Sequence, residues 1–119
     1  MKLTLDHVQR VNLHALLGAQ RVDLGSIRAI WAIQDRIALD AEEEKTLELK
    51  REIVAGQEHV VWNTTLSIPA REFELNDTEI ARVKAALQAW DAYAVGANRT
   101  WLEPLLRAIF PAELSQRKL

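Results

Sequence analysis

The chain has 119 residues, a length that suits one domain whose core is large enough to need no disulfide or metal to hold it together. Its 49% apolar and 27% charged residues are those of an ordinary globular protein, and a net charge of −2 gives no electrostatic reason to expect nucleic acid as a partner. The absence of cysteine excludes disulfides, thiolate catalysis and cysteine metal sites.

The opening residues, MKLTLDHVQR, lack the apolar run of a signal peptide, and no stretch is long and apolar enough to predict a membrane span. We therefore expect a cytoplasmic protein without a membrane partner.

The first predicted element is a helix over residues 5–17, with Thr4 as its N-cap and Gly18 at its end. Apolar residues cover more than half of its circumference, and such a helix is contacted from two sides or meets another subunit. The second alternative makes it a candidate interface. The candidate interface residues are Leu5, Val8, Leu13, Leu16 and Leu17.

A second helix is predicted from Asp23 or Ser26 to about Ala38. Because the link from the first helix is short, the two helices should pack antiparallel.

A third, short helix is predicted over residues 41–46, since Asp40 and Glu43 have the spacing of a capping box. Its acidic start is typical of a solvated first turn. The alternative is an acidic contact surface that imitates nucleic acid. That surface would consist of Asp40, Glu42, Glu43 and Glu44.

Apolar and polar residues then alternate, which predicts a β-hairpin with strands at 48–54 and 59–63 and a turn at 55–58. The alternation returns at 71–75 and predicts a third, edge strand. A two-stranded hairpin is marginal in water, so we expect this sheet to lean on helices.

Residues 76–95 carry the clearest helix signal, opened by a capping box of Asn76 and Glu79. Apolar positions three and four apart predict one buried face. These positions are Ile80, Val83, Leu87, Trp90 and Ala94. With Trp90 on that face, Trp90→Ala is expected to cost ~3–5 kcal/mol.

A last short helix is predicted from a capping box of Thr100 and Glu103, with Pro104 in its first turn. Pro111 should end it, and residues 112–119 should fray.

These elements predict an α+β fold, with about five helices packed around a small antiparallel β-hairpin or three-stranded sheet, in a single domain over residues 1–111. The four tryptophans could meet in one core. They are Trp31, Trp62, Trp90 and Trp101.

The sequence predicts no enzyme, metal site or cofactor. His7 and His14 share a helix face but stand about 10.5 Å apart by helical rise, too far for one ion whose ligands each lie about 2.1 Å away. His59 is expected to be a cross-strand partner. Glu72 and Glu74 alternate around a strand residue, as on a solvent face, and no serine lies in a nucleophile motif.

Helices followed by a hairpin also resemble a winged helix-turn-helix, whose helix before the hairpin enters the DNA major groove. Here that helix starts with four carboxylates within residues 40–44, which phosphates would repel, and the hairpin tip at 55–58 has no basic residue. A DNA-binding regulator is therefore an alternative that charge disfavours.

Several features in residues 1–95 come in a recognisable order. They are MKLTL, Asp40-Ala41-Glu42-Glu43-Glu44, Val61-Trp62-Asn63, Glu72-Phe73-Glu74-Leu75, and Asp77-x-Glu79 before Val83-Lys84-x-x-Leu87. This order resembles small single-domain proteins of tailed bacteriophages and prophages, many of unknown function. The resemblance implies a phage accessory protein that acts by binding, in the cytoplasm of a host cell.

The leading hypothesis is thus a non-catalytic phage accessory protein that binds another protein or itself. The alternatives are a phage inhibitor of a host defence or transcription enzyme and a small winged-helix-like DNA-binding regulator.

Overall fold

A computed structural model describes residues 1–91 and 93–110 of the chain, and over this part the fold is α+β. The strands are Lys2–Leu5 (β1), Lys50–Val54 (β2), Gln57–Val61 (β3) and Arg71–Glu74 (β4). The helices are His7–Gly18 (α1), Leu24–Ile37 (α2), Ala41–Thr46 (α3), Asp77–Ala89 (α4) and Val95–Ile109 (α5). The predicted fold class is confirmed. The predicted stop at Pro111 and frayed tail 112–119 lie outside the described residues.

The N-terminal segment is a strand, so the predicted start of the first helix at residue 5 is wrong. In β1, Leu3 and Leu5 are buried while Lys2 and Thr4 are exposed, which is the period of two that a strand requires. The strand pairs antiparallel with β4, where Leu3 lies opposite Phe73. Four residues are too few for the alternation to stand out before a longer helical pattern.

The N-cap of α1 is Asp6 and not Thr4. The Asp6 carboxylate accepts a hydrogen bond from the backbone N–H of Gln9, whose side chain in turn accepts one from the backbone of Asp6. This is a complete capping box, with Gln in place of the more familiar Glu.

The next two helices match their predictions closely. Asp23 caps α2 and accepts the backbone N–H of Ser26, which is itself buried inside the helix. Asp40 and Glu43 form the predicted capping box of α3. Helix α1 packs on α2, α4 and α5 and is the centre of the molecule.

Helix α4 ends at Ala89, six residues earlier than predicted. Trp90 is the C-cap in extended conformation, 41% exposed, so its predicted place on the buried face is wrong. The hydroxyl of Tyr93 donates to the carbonyl of Leu87 and satisfies one of the acceptors that the helix end leaves free.

Helix α5 starts at Val95, five residues before the predicted cap. Thr100 and Glu103 therefore lie inside the helix and form no capping box; the carboxylate of Glu103 instead bridges Arg99 and Arg107. Pro104 lies in the helix interior, where its ring leaves the carbonyl four residues earlier without a helical donor.

The tryptophans do not share one core. Trp101 is buried at 7% exposure, whereas Trp31 and Trp90 are exposed. Trp62 lies beside the imidazole of His7, with their rings edge to face at 5.9 Å.

The strands form two separate two-stranded sheets within the described part of the chain. Strand β4 pairs with β1 and not with the hairpin, so the predicted third strand of the hairpin is wrong. The reason is burial. Phe73 and Leu75 extend the buried apolar face that Leu3 and Leu5 form. The hairpin strands have no buried face that β4 could extend, because their residues are exposed.

Candidate functional site

Among the elements that the structure describes, the hairpin of β2 and β3 is the one most exposed to solvent. All ten of its strand residues are exposed. Ile53 is 79% exposed and Val54 is 54% exposed, and Val60 and Val61 are also open to solvent. Exposed apolar residues that cluster on one element are typical of an interaction site.

These four aliphatic side chains lie on both faces of the hairpin. The register places Arg51 opposite Val60 and Ile53 opposite Glu58, so these residues share one face. The other face carries the remaining strand residues. They are Lys50, Glu52, Val54, Gln57, His59 and Val61. A sheet with aliphatic residues on both faces lacks the separation into an inner apolar and an outer polar face that a sheet resting on a core has.

The hairpin tip has the backbone of a tight two-residue turn. Ala55 and Gly56 have φ values of 53° and 80°, the pair of positive angles that defines a type I′ turn. Glycine adopts this conformation freely, but alanine does so at a cost. The turn is thus narrow and brings the exposed Ile53 and Val54 to the end of the arm.

The base of the hairpin is anchored to the end of α3. Glu48 has a φ of 54°, and the backbone N–H groups of Glu48 and Leu49 donate to the carbonyls of Lys45 and Glu44. This is a Schellman motif with glutamate where glycine is usual. On the other strand, the N–H of Asn63 donates to the carbonyl of Leu47 at 3.1 Å.

A cleft of about 310 Å³ separates the hairpin from α1. Its polar groups are mostly satisfied, since Arg51 pairs with Glu44 and lies 3.6 Å from Glu58. Burial lowers the pKa of His14 in this cleft, against a weaker opposing effect of Asp35, so its imidazole is neutral at pH 7. The cleft offers apolar contact and one imidazole.

Below the cleft lies a buried ion pair between Arg10 and Glu43. The guanidinium of Arg10 is 1% exposed; it donates to both carboxylate oxygens of Glu43, at 2.6 and 2.9 Å, and to the carbonyls of Ile37 and Ala38. The ring of Phe73 lies 5.2 Å from Arg10. This group ties α1, the end of α2, and α3 together, so its role is structural.

The stability of the protein should fall in acid because of this pair. The hydrogen bond from Arg10 holds the pKa of Glu43 at about 2, below its ordinary value of 4.5, although burial opposes the shift. A lowered pKa means that the stabilisation is complete above pH 4.5 and is lost as the pH falls toward 2. Urea denaturation from pH 7 to pH 2 measures the effect, and the Glu43→Gln variant should lose less of its own stability over this range.

The predicted acidic contact surface is largely engaged within the protein. Glu43 binds Arg10 and Arg71, Glu44 binds Arg51, and Asp40 lies 3.9 Å from Arg71. Of the four carboxylates, Glu42 has no ion pair in the part of the chain that the structure describes.

The predicted interface residues of the first helix lie in the core. Leu5, which belongs to β1, and the three leucines of α1 are buried, and Val8 is half-buried against them. The three leucines are Leu13, Leu16 and Leu17. Because α2, α4 and α5 surround α1, the apolar circumference is explained by contact from two sides within one chain.

Three further observations bear on other kinds of site. Over residues 1–91 and 93–110, no three side chains of the metal-binding types lie close enough to share an ion. An apolar groove of about 610 Å³ runs along α5, where Val95 is 87% exposed and Leu102 and Leu106 are partly buried. Within the same residues, no helix is long and apolar enough to cross a membrane.

Sequence reasoning found the hairpin but missed its exposure and missed Arg10. A signal for the hairpin was present, because Ile53-Val54 and Val60-Val61 are adjacent aliphatic pairs and so fall on opposite faces of a strand. For Arg10, the signal was its spacing of three and seven residues from Leu13 and Leu17, which puts it on the buried face of α1.

No protein-family model matches the chain, and neither the curated proteins nor the solved structures yield a significant match.

Proposed function

We propose that the protein is a non-catalytic binding module, and that the hairpin of β2 and β3 is the surface through which it contacts another protein or a second copy of itself. The observation that carries the proposal is the pair of strongly exposed aliphatic side chains at the hairpin end, Ile53 and Val54. Water contact at these residues is unfavourable, and a protein partner would remove it.

The way the hairpin is held supports the same proposal. Its base is anchored by the Schellman motif and by Asn63, and Arg51 links it to Glu44 on α3. A surface held in place before binding loses less conformational entropy when a partner arrives. In the cleft beneath it, Arg51 is paired with Glu44 and lies 3.6 Å from Glu58, and charges that are already paired favour binding over acid–base chemistry.

The two narrower alternatives receive less support. An acidic surface that imitates nucleic acid needs free negative charge, and three of the four carboxylates concerned are paired with arginine. A DNA-binding regulator would have to present α3, whose first turn contains those carboxylates. Both alternatives stay predictions.

A phage origin is part of the proposal, and its support is the order of sequence features described above. The genes on either side of the coding sequence test it: structural or accessory genes of a phage are expected there.

The binding surface is tested by affinity capture from a lysate of the cells in which the gene occurs. In the double variant Ile53→Lys, Val54→Glu, the new lysine faces Glu58, so the hairpin should persist while its apolar end is lost. We expect this variant to lose the proteins that the wild type retains. The control is Val95→Glu, which changes a still more exposed valine in the groove along α5.

Retention of the same proteins by the hairpin variant would contradict the proposal. Loss in the Val95 variant alone would place the binding surface on α5 instead. Circular dichroism of each variant confirms that the fold is intact.

A further inference from the structure

The outward face of α2 has two large apolar side chains that the rest of the described chain leaves uncovered. Leu24 is 85% exposed and Trp31 is 54% exposed. We propose that this face binds the same face of a second copy of the chain, with the two α2 helices antiparallel about a two-fold axis. The surface is separate from the hairpin, so this inference goes beyond the function proposed above and does not depend on it.

The exposed residues of α2 form one stripe along the helix. Leu24, Arg28, Trp31 and Asp35 follow one another at steps of four, three and four residues, and all four are exposed. At about 100° per residue they lie within a sector of about 60°. Steps of this kind define the seam along which two helices pack. The buried residues lie on the opposite side of the helix. They are Ser26, Ile30, Ile33 and Ile37.

The two charged residues of the stripe have opposite signs and are not used within one copy of the chain. Neither Arg28 nor Asp35 forms an ion pair in the part of the chain that the structure describes. They are seven residues apart, whereas side chains on one helix pair at separations of three and four. The carboxylate of Asp35 has only a weak electrostatic effect on His14.

The position of Asp35 is unfavourable for α2 itself. It lies in the last turn of the helix, where the helix dipole disfavours a negative charge. Helix stability therefore does not explain an aspartate at this position, but pairing with a positive charge from outside would.

An antiparallel second copy pairs both charges at once. With the two-fold axis between Trp31 and Ala32, Arg28 and Asp35 each lie about 5 Å from the axis along the helix. Each Arg28 then lies opposite Asp35 of the second copy, once on either side of the axis. Each Trp31 lies opposite Ala32 of the second copy, whose small, exposed side chain leaves room for the indole ring.

This arrangement of charge is what selects a second copy of the chain. An apolar centre with opposite charges at equal distances on its two sides is complementary to itself when the direction is reversed, which a two-fold axis provides. A parallel pair would place Arg28 opposite Arg28 and Asp35 opposite Asp35, which is destabilising. One helix stripe covers less surface than a standard interface, so we expect a dissociation constant between about 10 µM and about 1 mM.

Reversal of either charge tests the pairing by sedimentation equilibrium. In Arg28→Asp and in Asp35→Arg, two repulsive pairs replace the two attractive ones, and each change should raise the dissociation constant about tenfold. The two changes shift the net charge of −2 in opposite directions, so a general effect of net charge would not weaken both dimers. The double variant Arg28→Asp, Asp35→Arg restores both pairs and should dimerise like the wild type.

A mixture of the two single variants gives a second readout. One variant then has two negative charges on its stripe and the other has two positive charges, so the mixed dimer contains two attractive pairs. The mixture should dimerise more strongly than either variant alone. Circular dichroism verifies that each variant is folded, as expected for changes at exposed positions.

A wild type that stays monomeric up to about 1 mM would overturn the proposal, as would a dimer that neither single reversal weakens. The hairpin variant Ile53→Lys, Val54→Glu separates this result from the function proposed above, because it should lose captured proteins and still dimerise like the wild type. If the hairpin variant loses the dimer and the charge reversals do not, self-association uses the hairpin and the role of α2 is rejected.

Discussion

Replacing Glu43 by glutamine should destabilise the protein by ~3 kcal/mol, at the lower end of the range for breaking a buried ion pair. Glutamine keeps the shape of glutamate, and its side-chain oxygen can still accept the backbone N–H of Asp40, so the capping box of α3 survives. The change removes the charge and replaces the oxygen that accepts from Arg10 Nη1 by an amide nitrogen, which cannot accept. Arg10, at 1% exposure, is then left without its counter-ion.

The size of the expected destabilisation depends on the hydrogen bonds that Arg10 keeps in the variant. Its guanidinium still donates to the carbonyls of Ile37 and Ala38, both at 2.8 Å, so its donors are not all left unsatisfied. The remaining cost is the uncompensated charge in a buried site together with the lost acceptor of Arg10 Nη1.

Glu42 lies next to Glu43 on α3, so the same change at Glu42 is a matched control. Glu42→Gln changes an exposed carboxylate and should alter the free energy of unfolding by no more than about 0.5 kcal/mol. Urea denaturation at pH 7 measures both variants. If Glu43→Gln is as stable as Glu42→Gln, the Arg10–Glu43 pair does not hold α1, α2 and α3 together.

Replacing Trp101 by alanine should cost ~3–5 kcal/mol, because it is a tryptophan buried in the core between helices. Its indole N–H donates to the side chain of Asn98 at 2.9 Å, and its carbonyl accepts a hydrogen bond from Gln9 on α1. Removing the ring leaves a cavity that the neighbouring leucines of α5 cannot fill without strain.

The matched control is Trp90→Ala, the same change at an exposed C-cap. With 41% of Trp90 in solvent, we expect a loss of about 1 kcal/mol, well below the loss at Trp101. Thermal and urea unfolding of the two variants give the comparison. Equal losses, or a larger loss at Trp90, would contradict the position of α4 and α5 described here.

The starts of α3 and α4 were predictable because a short polar side chain binds the backbone locally, whereas the equally local capping box of Asp6 at the start of α1 was missed. The capping boxes of Asp40 with Glu43 and of Asn76 with Glu79 occur in the structure as the sequence indicates, because the bonds join residues three apart. Helix ends were less predictable. The end of α4 depends on Tyr93, which reaches back to the carbonyl of Leu87, and periodicity contains no sign of this.

Features that depend on residues far away along the chain could not be predicted from the sequence either. Strand β1 is defined by its pairing with β4, about 70 residues away along the chain. The same holds for Glu43: a run of three glutamates predicts solvation, but the middle one binds an arginine 33 residues earlier. The exposure of the hairpin follows from β4 pairing elsewhere, a choice that local alternation cannot reveal.

Affinity capture tests most directly whether the hairpin end is the binding surface. The proteins retained by the wild type are compared with those retained by the Ile53→Lys, Val54→Glu variant, and Val95→Glu is the control. We expect the hairpin variant to retain nothing specific while the Val95 variant behaves as the wild type. A hairpin variant that folds normally and keeps every wild-type partner would show that the exposed hairpin is not the binding surface.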